Sequence, residues 1–312
     1  MKLAVLFAGQ GQQFAGQGRD LAEKWACARV VYDVAASALG YNVLGLEEPE
    51  IHQTAFTQPA MVSLNHALFS ILVENGFVPE WTAGLSLGEY NGLLAAGVLD
   101  FPECVALVEK RGAMMAGALV PGTTGMAAVL RTNLQMVEEV LARQEFAGKV
   151  AVCNVNTHEQ IVIGGFLEEL ELASEVLRGL GVKRVVPLSV STVSHTALLR
   201  EAGEALRTEL ERVVFRKPNT VFVNNVEAKA QSEGFVESLT RQISEPTRMN
   251  ESIRFMLAEG ADTFVELGPK GSLSGFVRAI AKDVCPDKVI RILNAYDVPT
   301  LSQVLAQLGD LR

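Results

Sequence analysis

Cysteine is scarce in this chain, positive charge is outnumbered, and no long hydrophobic run occurs. Four cysteines, Cys27, Cys104, Cys153 and Cys285, are scattered through 312 residues without paired metal-ligand spacing. That pattern excludes a disulfide-built module and a zinc ribbon, and is read as four reduced, structural thiols in a cytoplasmic protein without a metal site. No apolar stretch approaches the ~20 residues needed to span a bilayer, so no membrane association is expected. Met1-Lys2 leads straight into a short apolar segment ending at Gly9-Gln10-Gly11, and no signal peptide is evident. Lys and Arg number 27 against 36 Asp and Glu, a formal net charge of -9. A broad basic face for nucleic acid or an anionic membrane is therefore not expected, while a small local basic patch stays open. The glycine-rich start is also no nucleotide loop: no Gly-Lys-Ser/Thr follows it, and a third spaced glycine is missing.

What is present is enough apolar sequence for a large core. Hydrophobic residues make up 49% and charged residues 20% of the chain, which suits one large domain or two smaller ones. The most informative stretch is Gly84-Leu85-Ser86-Leu87-Gly88-Glu89-Tyr90. It has the Gly-x-Ser-x-Gly form of a nucleophile elbow, with a strand expected before it and a helix after. Such pentapeptides also arise by chance, so the surrounding elements must decide. Leu3 to Ala8 reads as a first strand opening into Gly9-Gln10-Gly11-Gln12-Gln13, either a ligand-facing loop or a plain tight turn. Helical spacing covers Ala22 to Ala38, and Gly40 stops it. Thr57-Gln58-Pro59 is expected to open a helix that runs to Asn75, with Pro59 in its first position and His66 as a core or surface residue. A further helix from Phe101 to about Ala116 carries an Asp100/Glu103 capping box. Arg111 falls in its last two turns, as a solvated dipole-complementing cation or as a fork for a substrate carboxylate.

From Thr124 the texture changes. Met126 to Leu130 reads as strand, Thr132 to Arg143 as helix opened by a Thr-x-x-Gln box, Val150 to Val155 and Ile161 to Ile163 as strands, Leu167 to Leu180 as helix, and Arg184 to Val190 as strand. The order β-α-β-β-α-β is that of a ferredoxin-like module. The fold expected is therefore α/β: a large α/β-hydrolase-like subdomain with a mainly parallel sheet, from residues 1–123 and 191–312, and an inserted ferredoxin-like subdomain, 124–190. Its flanks are Val120-Pro121-Gly122 and Ser191 to Ser194. Directly after the insertion comes His195, expected to start a helix and to overlook the cleft between the subdomains. It is a helix-capping residue or the base for Ser86. No acid completes a triad: Asp262 and Glu266 do not stand out, and Asp100, Glu103 and Glu109 fit helix-start and surface roles. A backbone carbonyl could orient the imidazole instead.

Phe7-Ala8-Gly9-Gln10-Gly11-Gln12-Gln13, Thr57-Gln58-Pro59-Ala60, Gly84 to Glu89, Lys110-Arg111-Gly112, Ser194-His195 and Glu266-Leu267-Gly268-Pro269 occur in this order over nearly the whole chain. In this the sequence resembles the malonyl-CoA:acyl-carrier-protein transacylases. The resemblance implies that Ser86 takes the acyl group as an ester and that His195 acts as base and then acid. It implies that Arg111 grips the malonyl carboxylate, and that the backbone N–H groups of Gln10 and Leu87 form the oxyanion hole. The main-chain carbonyl of Gln242 would orient His195, while Gln58, Met115, Asn154 and Ser194 match pocket positions. No cofactor is implied, since coenzyme A enters as part of the substrate. The implied partners are malonyl-CoA and an acyl carrier protein, and the expected state is a monomer.

Two positions depart from the family pattern: Leu85 stands where histidine is common, and Gly268-Pro269-Lys270 replaces the usual Gly-Pro-Gly. The small, polar Ser194 favours malonyl over a branched acyl group. Lys183 and Arg184 are the candidate patch for an acidic carrier. Alternatives are a stand-alone acyltransferase of a polyketide assembly line, an acyl-thioester hydrolase, in which Arg111 would have less purpose, and a non-catalytic carrier-binding module.

Overall fold

The computed structural model describes residues 1–190 and 192–311. Ser191, the expected first residue of the return from the insertion, lies outside them, as does Arg312. In chain order the elements begin β1 (Leu3–Phe7), α1 (Arg19–Lys24), α2 (Ala26–Leu39), α3 (Thr54–Glu74), β2 (Trp81–Gly84), α4 (Gly88–Ala95) and α5 (Phe101–Gly117). Next come β3 (Thr124–Leu130), α6 (Leu134–Leu141), β4 (Val150–Thr157), β5 (Gln160–Phe166), α7 (Leu167–Gly179) and β6 (Arg184–Pro187). The rest is α8 (Arg200–Leu210), β7 (Val221–Phe222), α9 (Phe235–Gln242), α10 (Met249–Ala258), β8 (Thr263–Leu267), α11 (Ser272–Val284), β9 (Arg291–Ala295) and α12 (Val298–Gly309).

Two sheets organise these elements. The larger has the order β7-β2-β1-β8-β9, and every neighbouring pair is parallel. Its centre is β1, whose five residues are all buried. Alternation distributes them between two layers, with Leu3, Val5 and Phe7 packing on one face and Ala4 and Leu6 on the other. A strand covered on both faces reads as the unbroken apolar run seen at the N-terminus. The smaller sheet has the order β4-β5-β3-β6 with antiparallel neighbours. Helices α6 and α7 pack on it through Val137, Val140, Leu141, Leu170, Ala173 and Leu177. Strand order and direction are those of a ferredoxin-like unit.

Several expected boundaries move, for physical reasons. The single helix expected at Ala22 to Ala38 is two, because Trp25 adopts an extended backbone (φ -117°, ψ 127°) between α1 and α2. Pro59 does not begin α3 but lies inside it, since the helix starts at Thr54. Tertiary contact holds that extra turn: Thr57 Oγ1 donates to the Ile51 carbonyl at 2.6 Å, and Gly112 of α5 sits against Thr54 and Ala55. Asp100 precedes α5 without a side-chain capping bond, its carboxylate being taken by Arg216 at 2.5 and 2.6 Å. The cap of α6 is Asn133, accepting from Met136 N at 2.9 Å, rather than Thr132. His195 does not start a helix either; a short turn from Ala197 to Leu199 separates it from α8. No helix among the described residues is long and apolar enough to cross a membrane.

Candidate active site

Ser86 sits at the turn between β2 and α4 with a left-handed backbone, φ 53°. Its surroundings require glycine for steric reasons. A Cβ on Gly88 would lie 2.1 Å from the Phe7 carbonyl oxygen, and one on Gly9 would lie 2.6 Å from that of Leu85. The turn is thus pressed onto the end of β1, which brings the loop carrying Gln10 beside the serine. Hydrogen bonds fix the turn: Leu85 N donates to Phe7 O at 3.1 Å, and Ser86 N to Asn225 Oδ1 at 2.7 Å. Asn225 Nδ2 in turn donates to Gly84 O at 2.6 Å.

His195 meets this serine from the other side. Ser86 Oγ lies 2.8 Å from His195 Nε2, and His195 Nδ1 lies 2.7 Å from the main-chain oxygen of Gln242. A carbonyl can only accept, so Nδ1 carries the proton and Nε2 is left to accept from the hydroxyl. The His195 backbone is tied to the same helix end, its N–H donating to Ile243 O at 2.8 Å. Burial, followed by the charge of Arg111, lowers the His195 pKa to about 4. The ring is neutral at pH 7 and able to take a proton. No carboxylate among the described residues touches it. Glu266, weighed in the sequence as an orienting acid, accepts instead from Leu273 N and Ser274 N at the start of α11.

Arg111 is fully buried. Its Nη2 lies 3.3 Å from Ser86 Oγ and 2.9 Å from Gln242 Oε1, while Nη1 donates to Gln58 Oε1 at 2.9 Å. All three acceptors are neutral, and Nε has no hydrogen-bond partner among the described residues. A buried guanidinium without a direct anionic partner is costly unless an anion is to be delivered to it. Gln58 and Met115 lie behind Arg111, joined by a 3.5 Å contact from Gln58 Nε2 to Met115 Sδ; both are buried.

Beside Ser86 and His195 lies a cavity of about 150 Å³. Gln10 and Leu85 line one wall, with Met126 and Asn154 from the small sheet and Ser194 on the others. Asn154 is anchored by donating to Thr247 Oγ1 at 2.6 Å, which ties β4 to the larger sheet's surroundings. The backbone N–H groups of Gln10 and Leu87 make no hydrogen bond among the described residues. Among the described residues no group of three or more His, Cys, Asp or Glu is placed to hold a metal ion.

Two residues not singled out in the sequence belong to this arrangement. Asn225 holds the serine turn, and Glu89, buried to 1% exposure, accepts from Gln242 Nε2 at 2.6 Å and Asn225 N at 3.1 Å. The available signal for Asn225 was the pair Asn224-Asn225 at the carboxyl end of a parallel strand, where ligands bind in open α/β sheets. Glu89 carried none, because an acidic residue in a first helical turn is ordinary. Taken together, the geometry offers a nucleophile, a neutral base held in one tautomer, and a waiting cation.

Residues 5–302 match the acyl transferase domain family. The malonyl CoA-acyl carrier protein transacylase of Bacillus subtilis (strain 168) is 35% identical, over 99% of this chain and 99% of its own length. The crystal structure of MCAT from Streptococcus pneumoniae is 40% identical, covering 98% of this chain and 100% of that one, with a TM-score of 0.92. A complex of a type II PKS acyl-carrier protein with its malonyl-transacylase is also similar, at 31% identity and a TM-score of 0.92 over 98% of this chain and 100% of that one. The chain belongs to the malonyl CoA-acyl carrier protein transacylase family, built on the acyl transferase domain.

Proposed function

We propose that this protein moves the malonyl group of malonyl-CoA to the phosphopantetheine thiol of an acyl carrier protein, through an ester on Ser86, for fatty-acid synthesis. His195 Nε2 takes the Ser86 Oγ proton as the oxygen attacks the thioester carbonyl. The oxyanion faces the N–H groups of Gln10 and Leu87, and its collapse expels the coenzyme A sulfur, which receives the proton from His195. The carrier thiol then repeats the sequence in reverse and leaves with malonyl. Gln242 orients the base through its carbonyl, Asn154 and Ser194 shape the acyl cavity, and Gln58 and Met115 steady Arg111. The chemistry calls for no cofactor. Residues 1–123 and 191–312 would act as the catalytic subdomain and 124–190 as the small one closing over it.

One observation carries the malonyl assignment: Arg111, buried, with neutral acceptors only, 3.3 Å from the nucleophile. Intact mass after mixing with malonyl-CoA tests it. A malonyl-sized adduct should form, vanish on adding holo carrier protein, and be absent in Ser86→Ala; a wild type that forms no adduct overturns the reading. Loss of the adduct to water rather than to the carrier would make the protein a hydrolase. Arg111→Ala should lower malonyl kcat/KM by about 3 kcal/mol, on the order of 100-fold, while sparing acetyl. Equal losses for both donors would remove the carboxylate role. The similarity to a complex containing a type II PKS carrier gives the polyketide alternative its support, and turnover with fatty-acid and polyketide carriers side by side separates the two.

A further inference from the structure

The buried carboxyl of Glu89 has no part in the chemistry above, yet it bonds to Gln242 and Asn225, which hold His195, Arg111 and the Ser86 turn. Through Gln242 Nε2 it adjoins the residue whose carbonyl holds His195 and whose Oε1 accepts from Arg111. Through Asn225 N it adjoins the side chain that holds the Ser86 turn. The Gln242 amide thus lies between a buried cation and a buried carboxyl, its oxygen toward the one and its nitrogen toward the other. Among the described residues Arg111 has no carboxylate in direct contact, and Glu89 is the acid set across that amide.

Resting on the reading that malonyl binds at Arg111, we infer that Glu89 is the counter-ion of Arg111 in the empty site. It gives up that role to the malonyl carboxylate by taking up a proton from solvent. The charge balance requires such an exchange. With Arg111 and ionised Glu89 the buried centre is neutral, and adding the malonyl carboxylate leaves one excess negative charge in a space that solvates it poorly. A proton on Glu89 restores neutrality. Transfer of malonyl from sulfur to Ser86 consumes no net proton, since the hydroxyl proton leaves with the coenzyme A thiol, so an uptake reports Glu89 itself.

The neighbours of Glu89 support this. Helix α4 packs against β1, β2, α3 and α5. Strands β1 and β2 carry no titratable side chain. Helix α3 brings His66, stacked on Phe101, and the distant Glu74. Helix α5 brings Arg111 and the buried Cys104, and adjoining residues supply Tyr90 and Glu227, the last paired with Arg241 of α9 at 2.7 Å, while His195 is reached through Gln242. Burial raises the Glu89 pKa to about 7; the bonds from Gln242 and Asn225 and the charge of Arg111 oppose it, and Glu227 adds to it. A second anion delivered to Arg111 can only raise it further.

The test is a single-turnover reaction with malonyl-CoA at about pH 8, followed by a pH indicator in weak buffer and by intact mass. Wild type should take up nearly one proton per malonyl-enzyme formed, and Glu89→Gln close to none. Acetyl-CoA, which forms an ester without a second carboxylate, should give no uptake in wild type, so the comparison survives if Glu89→Gln folds poorly. Malonyl-enzyme forming in wild type without proton uptake, or uptake that is equal with acetyl, overturns the inference. Failure to form any malonyl-enzyme overturns the reading beneath it instead.

Discussion

Ser86 and His195 both hold left-handed backbones, at φ 53° and 61°, a conformation that costs roughly 1–2 kcal/mol for a residue with a side chain. Strain of this kind persists where neighbours overdetermine it, and here they do: Asn225 clamps the serine, while Ile243 and Gln242 clamp the histidine. With the His195 pKa lowered from 6.5 to about 4, chiefly by burial, the base is neutral well below neutrality. The base-dependent acid limb of kcat/KM should therefore fall near pH 4 to 5 rather than near 6.5, since activity is lost only as protonation fills Nε2. A limb at 6.5 in a pH–rate profile would contradict the burial argument. Leu85 bears on the same measurement. A histidine there would add a second imidazole to the cavity wall, whereas Leu85 leaves His195 as its one imidazole among the described residues, and a single imidazole ionisation is expected on the acid limb. At this scale the sequence pointed to Ser86, His195, Arg111 and Gln242, and the structure brings them together. Glu89 escaped because burial of a polar side chain, unlike the spacing of a motif, leaves no local trace, and Asn225 because its one signal, its place at a strand end, depends on the sheet being known.

Elements explain where spacing and caps mislead. Pro59 marks a helix start by its own chemistry, but packing against α5 extends α3 back to Thr54. The extension has a functional result, because it places Gln58 on a buried helix face toward Arg111. Thr132 was read as the residue opening α6, but Asn133, one residue on, supplies the side-chain oxygen that takes the Met136 N–H. The departure at Lys270 becomes intelligible in the turn between β8 and α11. Its φ is 66°, a conformation natural to the glycine common at that place and strained for lysine. The side chain offers little return, a 3.4 Å contact from Nζ to the Gly11 carbonyl in an exposed position. Lys270→Gly should therefore raise unfolding stability by about 1 kcal/mol. Urea denaturation checks this, and a variant of lower stability would show that the lysine contact outweighs the strain.

The whole molecule carries a formal charge of -9, so an acidic carrier must find a local exception. Lys183 and Arg184 are exposed at the start of β6, the strand whose continuation brings Leu188 and Val190 to the cavity. Reversing both charges should raise the carrier KM several-fold and flatten its salt dependence while leaving malonyl-enzyme formation intact; unchanged carrier kinetics would place docking elsewhere. The small sheet was legible in the sequence because its strands and helices follow one another locally in a recognisable order. The order of the large sheet was not, because it is set by pairings between remote segments. Of these the extreme case is β1, whose Leu3 lies opposite Thr263. A central strand that waits for a neighbour from the last fifth of the chain makes assembly late and highly non-local. During synthesis β1 can pair early with β2 on one side, but its other edge stays open to aggregation until β8 has emerged. Such a protein gains the most from a chaperone early in its life, and a truncated chain ending before β8 should be insoluble rather than merely inactive.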